Sequence, residues 1–223
     1  MRWIARPETP RKDLWLWNVG FPPVRAFVTA LVPIRVECLQ NLPARGPYIV
    51  AANHISWYDP PAIEFALAVP IRYMAKRELF AVPLIGFVLR ASGNFPVRRG
   101  ESDRRALETA LRVLEAGEPL GFFPEGTRSK DGRLRRAKPG IAFLARRSGA
   151  PVVPVAVRGT PQAGLRVPPR TDIVVRVGPP CTLAELDGRA LDDQAVADRI
   201  MERVATLLPS HMRGMYSSDP RSG

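Results

Sequence analysis

A chain of 223 residues with 46% apolar and 24% charged residues can bury one sizeable core, which excludes a disordered polymer. Its 33 Lys and Arg against 21 Asp and Glu give a net charge of +12, so a polyanionic partner is expected: nucleic acid, an anionic membrane surface or a phosphorylated substrate. The two cysteines, Cys38 and Cys181, do not have the spacing of a zinc site and read as free thiols of a reducing compartment.

The chain opens MRWIARPETPRKD, charged and without the uninterrupted apolar run of a secretory signal. Leu14–Val36 is the most apolar long segment, but Pro22, Pro23, Arg25, Pro33 and Arg35 break it, so no transmembrane helix is predicted. Trp15, Trp17, Phe21 and Phe27 follow Arg2, Arg6, Arg11 and Lys12, a pattern that suits either a helix lying in a headgroup layer or an N-terminal helix packed on the domain's own core. Residues 1–35 are therefore set apart as a basic, aromatic membrane-interface segment, 36–208 as the main domain, and 209–223 as a polar tail.

Tyr48–Ala52 reads as a buried strand and Pro61–Val69 as a short helix started by Pro60-Pro61. Ser102–Ala116 has apolar residues at helical spacing, Ser102 as N-cap and Gly117 as stop. Leu120–Phe123 reads as a second strand and Ile141–Ser148 as a helix closed by Gly149. Val152–Val157 and Ile173–Val177 are further strands, and Asp192–Leu208 is a C-terminal helix. Strands and helices in alternation predict an α/β fold, a mostly parallel central sheet flanked by helices, with functional groups on the loops that leave the strands' carboxyl ends.

Asn53-His54-Ile55-Ser56-Trp57-Tyr58-Asp59 follows the first strand directly. A His and an Asp five apart do not face each other on a helix, so they meet only if the chain turns between them. If they do, the carboxylate fixes the imidazole tautomer and leaves the other ring nitrogen to take a proton from a hydroxyl. Otherwise Asp59 is the N-cap of the next helix. Phe123-Pro124-Glu125-Gly126-Thr127-Arg128-Ser129 leaves the second strand: Gly126 permits an unusual turn, Arg128 offers a planar fork for phosphate, and Glu125 either orients it or accepts a hydroxyl. Arg98 and Arg99, in the GNFPVRRG stretch, form a second basic pair suited to the same phosphate. Pro154 either walls an apolar channel or sits in a core strand.

These elements in this order resemble the glycerolipid acyltransferase superfamily of the bacterial 1-acyl-glycerol-3-phosphate acyltransferase type. NHxxxxD is matched by Asn53, His54 and Asp59, the glycine-to-arginine motif by Gly93 and Arg99, FPEGTRS by Phe123 through Ser129, and the proline motif by Pro154. The resemblance runs from about Val36 to Val177. Arg98 departs from the family's usual acidic or neutral residue and leaves the phosphate contact shared between Arg98 and Arg99.

The resemblance implies acyl transfer from acyl-CoA or acyl-carrier protein to the hydroxyl of a phosphorylated lipid, with 1-acyl-glycerol-3-phosphate as the family's usual acceptor and glycerol-3-phosphate, other lysophospholipids or glycolipids as the alternatives that relatives use. His54 would be the base and Asp59 its orienter, with Arg98, Arg99, Glu125, Gly126, Thr127 and Arg128 on the acceptor. No metal or cofactor beyond the acyl donor, and no covalent acyl-enzyme, is expected: there is no G-x-S-x-G elbow and neither cysteine adjoins a motif. The expected place is the cytoplasmic face of the membrane, peripheral or monotopic. Nucleic-acid binding is the rival that charge alone suggests, but the basic run Lys130–Lys138 holds no aromatic residue and reads as a loop, so no nucleic-acid partner is expected.

Overall fold

The computed structural model describes residues 19–98, 104–160, 172–187 and 190–217. Helix α1 (Phe21–Leu31) and edge strand β1 (Ile34–Glu37) lead into β2 (Ile49–Ala52), α2 (Asp59–Leu67), β3 (Arg72–Lys76), α3 (Pro83–Ala91) and β4 (Phe95–Val97). Then come α4 (Arg104–Glu115), β5 (Leu120–Phe122), α5 (Gly140–Ser148), β6 (Val152–Arg158), β7 (Ile173–Val177) and α6 (Asp193–Leu207). The strands form one sheet in the order β1-β7-β6-β2-β5-β3-β4, parallel throughout except where β7 runs antiparallel to β6. The expected α/β architecture is the one observed.

Successive side chains of β2 point to opposite faces of the sheet, and each face has its own core. Ile49 and Ala51 join α4, α5 and α6 through Leu114, Leu144 and Ile200. Tyr48, Val50 and Ala52 face α2 through Ala62, Ile63 and Ala66. Burial on both faces explains why the central strands are continuous apolar runs instead of alternating ones. Helix α6 starts as the sequence predicts, with the Asp192 carboxylate accepting from Ala195 N–H.

Strands β1, β3 and β4 and helix α3 were not expected from the sequence. β1 and β4 lie at the sheet's edges, and β3 (Arg-Tyr-Met-Ala-Lys) carries a charge at each end, so none presents an uninterrupted apolar run. The predicted cap Ser102 lies outside the described residues. Pro154 occupies a central strand, where its carbonyl accepts from Gly178 N–H and its ring fills the space that a Cβ at Gly178 would need.

Candidate active site

Strands β2, β5 and β6 are parallel neighbours, so their carboxyl ends open on one edge of the sheet and present there the loops that begin at Asn53, Phe123 and Gly159. This adjacency brings together motifs about seventy residues apart. Asn53, fully buried, completes the β2 end: its amide donates to Val157 O and accepts from Val157 N–H, at 2.9 and 2.8 Å.

Beyond Asn53 the chain turns sharply, with Asp59 N–H donating to Ser56 O. The turn aims the Asp59 carboxylate back at the residues before it. Its Oδ2 accepts from His54 Nδ1–H at 2.8 Å, Ile55 N–H at 2.6 Å and Ser56 N–H at 2.7 Å. Its Oδ1 accepts from the Thr160 hydroxyl at 2.5 Å. Asp59 opens α2 but does not cap it: the cap position is Tyr58, without a side-chain bond. Four donors, three of them from its own turn, satisfy both oxygens of a carboxylate with 0% exposure. With Nδ1 protonated and committed to Asp59, His54 keeps Nε2 as an acceptor, and the ring borders the cavity described below.

The second loop locks onto the first. Glu125 Oε1 accepts from His54 N–H at 2.9 Å, Glu125 Oε2 accepts from Arg135 N–H at 3.0 Å, and Ser129 N–H donates to His54 O at 2.7 Å. Burial pushes the Glu125 carboxyl up to about 7 despite these two bonds. Both of its oxygens thus engage backbone N–H groups, one of them that of the histidine itself. Phe123 stacks on the His54 ring at 4.2 Å between centroids, and Tyr73 stacks behind Phe123 at 5.8 Å. Gly121 makes room for this stack, since a Cβ there would lie 2.0 Å from Tyr73 Cε1. Gly126 takes φ +70° at the bend of the loop, with the Lys138 side chain against it.

A cavity of about 790 Å³ opens beside His54. Met74, Leu107, Phe122 and Phe143 give it apolar walls, and its charged lining is made of Arg98, Arg104 and Lys138 with Glu108 and Asp193. Arg128 lies across the ring of Trp57, its guanidinium carbon 4.1 Å from the centroid, so the two motif loops also meet through a cation–π contact. The Thr127 hydroxyl accepts from Arg135 at 3.2 Å. Of the residues singled out from sequence, His54, Asp59, Glu125, Gly126, Thr127 and Arg128 thus share one pair of interlocked loops, and Arg98 and Gly126 line the cavity. Arg99 falls outside the described residues. Pro154 is buried in β6 and is not among the residues that line the cavity.

A sequence model of the Acyltransferase family matches residues 33–158, more than half of the chain. The chain belongs to the acyltransferase family. A 1-acyl-sn-glycerol-3-phosphate acyltransferase of Bacillus subtilis is 34% identical over 154 residues, 68% of this chain and 75% of that protein. The chloroplastic 1-acyl-sn-glycerol-3-phosphate acyltransferase LPAT1 of Arabidopsis thaliana is 35% identical over 130 residues, 57% of this chain but only 36% of that longer protein. The crystal structure of the 1-acyl-sn-glycerophosphate acyltransferase PlsC from Thermotoga maritima superposes with a TM-score of 0.69 at 25% identity, covering 92% of this chain and 82% of that one. The resemblance read from the motifs is thereby borne out.

Within this acyltransferase-family fold, Thr160 is the site residue that sequence reasoning missed. It lies just past the matched stretch, far from both motifs in sequence, and follows β6 after Gly159, whose φ of +87° and lack of Cβ permit close passage by Asp172. A lone threonine after a strand carries no signal of its own; only the parallel β2–β6 pairing brings its hydroxyl to Asp59. Phe123 was read as part of a motif, but its stacking on His54 was not foreseen.

Proposed function

We propose that this protein transfers a fatty acyl group from an acyl thioester, acyl-CoA or acyl-carrier protein, to the sn-2 hydroxyl of 1-acyl-glycerol-3-phosphate, giving phosphatidic acid. The reading rests on one observation above the others: a buried His54–Asp59 pair whose imidazole borders a cavity with apolar walls and with Arg98, Arg104 and Lys138 in its lining. The names of the bacterial and chloroplast relatives support the choice of acceptor.

In this reaction His54 Nε2 takes the proton of the acceptor hydroxyl as its oxygen attacks the thioester carbonyl carbon. Asp59 stabilises the imidazolium that forms. The tetrahedral intermediate collapses by breaking the carbon–sulfur bond, and the imidazolium returns its proton to the leaving thiolate. The products are one ester and one free thiol, with no acyl group on the protein and no metal or added cofactor in the step. Arg98, Arg104, Lys138 and Arg128 are the cations available to the acceptor's phosphate and the donor's phosphates. The apolar walls suit an acyl chain. The working place is the cytoplasmic surface of a membrane, where the acceptor resides.

The test is a matrix of purified protein, acyl-CoA or acyl-carrier donors, and acceptors including 1-acyl-glycerol-3-phosphate, glycerol-3-phosphate, other lysophospholipids and glycolipids, read by mass spectrometry of the products. Phosphatidic acid as the main product is expected, and His54→Ala should abolish it without loss of fold. Transfer to a phosphate-free acceptor alone, or full activity in His54→Ala, would overturn the reading.

A further inference from the structure

Helix α3 is built the wrong way round for a globular protein in water. Six of its nine residues, PLIGFVLRA, are Leu, Ile, Phe, Val or Ala, yet Gly86 alone is buried. Leu84, Phe87 and Val88 fall at the i, i+3, i+4 spacing of one face and are 75%, 61% and 52% exposed, with Ile85 beside them. The inner side is the backbone at Gly86, packed so closely on the Phe80 carbonyl that a Cβ there would lie 2.3 Å from the oxygen. The helix is therefore held through its backbone at Gly86, the half-buried Leu89 and the Arg90 bond to Phe80 O, while Leu84, Ile85, Phe87 and Val88 stay exposed. A contiguous apolar patch of this kind marks a docking surface.

The surroundings identify what docks. β3 ends at Lys76 on the sheet edge that carries His54, so the chain enters α3 from the site's side. Lys76, ion-paired with Glu78, and Arg77 stand before the helix, and Arg90 near its end donates to Phe80 O. Arg98 follows on β4's exit and lines the cavity. An apolar strip flanked by cations, on a chain of net charge +12, complements a surface that is anionic outside and hydrocarbon beneath. A nine-residue helix is about 13 Å long, too short to cross about 30 Å of hydrocarbon, so it can only lie along the boundary. Helix α1, joined to α2 by the Arg25 bond to Phe65 O and the Phe21–Phe65 stack, likewise exposes Val24 and Phe27. Two helices thus offer apolar residues outward.

We infer that α3 seats in the headgroup–acyl boundary of an anionic bilayer and holds the sheet edge that carries His54 at the leaflet from which the lipid acceptor enters. This inference rests on the lipid acceptor proposed above.

The experiment compares the full chain with a Leu84→Asp/Phe87→Asp double variant. Each is measured by co-sedimentation with vesicles of phosphatidylcholine alone or with one-third phosphatidylglycerol, and by acyl transfer to 1-acyl-glycerol-3-phosphate either embedded in those vesicles or supplied as a short-chain, monomeric form. The wild type is expected to bind the anionic vesicles preferentially. The variant should lose about tenfold or more in anionic-vesicle binding and in rate on the embedded acceptor, with its rate on the monomeric acceptor unchanged. Its melting temperature should stay within about 2 °C, because both side chains are exposed. Wild-type binding and embedded-acceptor rate in the variant would overturn the inference. So would a wild type that ignores vesicles, or a clear fall in melting temperature, which would mean that this chain itself covers the face. If the wild type binds vesicles and the variant does not, while neither acylates any acceptor, docking stands and the proposed reaction falls.

Discussion

Asp59→Asn tests the centre of the argument without changing its shape. The amide retains one carbonyl oxygen and gains one NH2. At the Oδ2 place the NH2 would face three N–H donors, so the side chain adopts the other orientation, with its carbonyl oxygen toward His54, Ile55 and Ser56 and its NH2 toward Thr160, whose hydroxyl turns to accept. Geometry and tautomer survive; only the charge is lost. Each bond to a carboxylate is worth roughly 1 kcal/mol more than the same bond to a neutral oxygen, and this loss is partly offset because a buried charge is removed. A net destabilisation of about 2 kcal/mol follows, or a melting temperature lower by about 4–8 °C for a chain of this size. Turnover suffers more. A unit charge about 4 Å from the imidazolium stabilises it by about 4 kcal/mol at an effective dielectric of 20, so kcat should fall about a thousandfold. The acceptor's KM should hold within about twofold, since Asp59 is buried beneath the cavity. Acceptor-dependent release of free thiol gives both constants, and calorimetry gives the melting temperature. A kcat within about threefold of wild type, alongside the expected loss of stability, would refute a chemical role for the pair and leave Asp59 a purely structural residue.

Three further outcomes follow from neighbouring contacts. Thr160→Val removes one hydrogen bond from the carboxylate at nearly constant volume; stability should fall by about 1.5–3 kcal/mol and kcat by about tenfold with KM unchanged, measured by the same assays. Arg128→Ala should raise KM for the phosphorylated acceptor by about tenfold or more and leave KM for the acyl donor nearly unchanged, and Trp57→Ala should reproduce part of that effect by releasing the guanidinium; equal effects on both substrates would remove the phosphate role. Glu125 gives a pH signature. Its carboxyl is raised from 4.5 to about 7 in the folded chain, so between those values the native state holds a proton that the unfolded chain has lost, and stability falls as pH rises through that window. Glu125→Gln does not titrate, so its melting temperature relative to wild type should climb from pH 4.5 to 7, by the equivalent of about 3 kcal/mol, and then level off. A flat difference would show that burial does not perturb this group.

Much of the site was legible because its chemistry is local in sequence. NHxxxxD and FPEGTRS each follow a short apolar run, and an apolar run that ends in a polar, turn-forming segment reads as a strand delivering groups to a sheet edge. The two readings of Asp59 could not be separated in one dimension, because the same residue at a helix start serves either as a cap or as a partner of the preceding histidine. The direction of its carboxylate, set by the turn at Ser56, decides for the histidine. Arg128 was read as a phosphate fork, while its contact with Trp57 depends on how two loops fold against each other.

Residue types and their periodicity by themselves determined that this chain folds as alternating strands and helices, that its strands are buried on both faces, and that a histidine and a carboxylate leave one strand while an arginine leaves another. Those are properties of near neighbours, fixed by side-chain volume, hydrogen-bonding capacity and backbone freedom. Strand order was decided only by the tertiary structure, and with it everything long-range: the Thr160 hydroxyl on Asp59, the Glu125 carboxylate under the His54 backbone, the Phe123 ring on the imidazole, and an α3 that turns its apolar face outward. Such contacts depend on which strands become neighbours, a choice made by the packing of both cores at once.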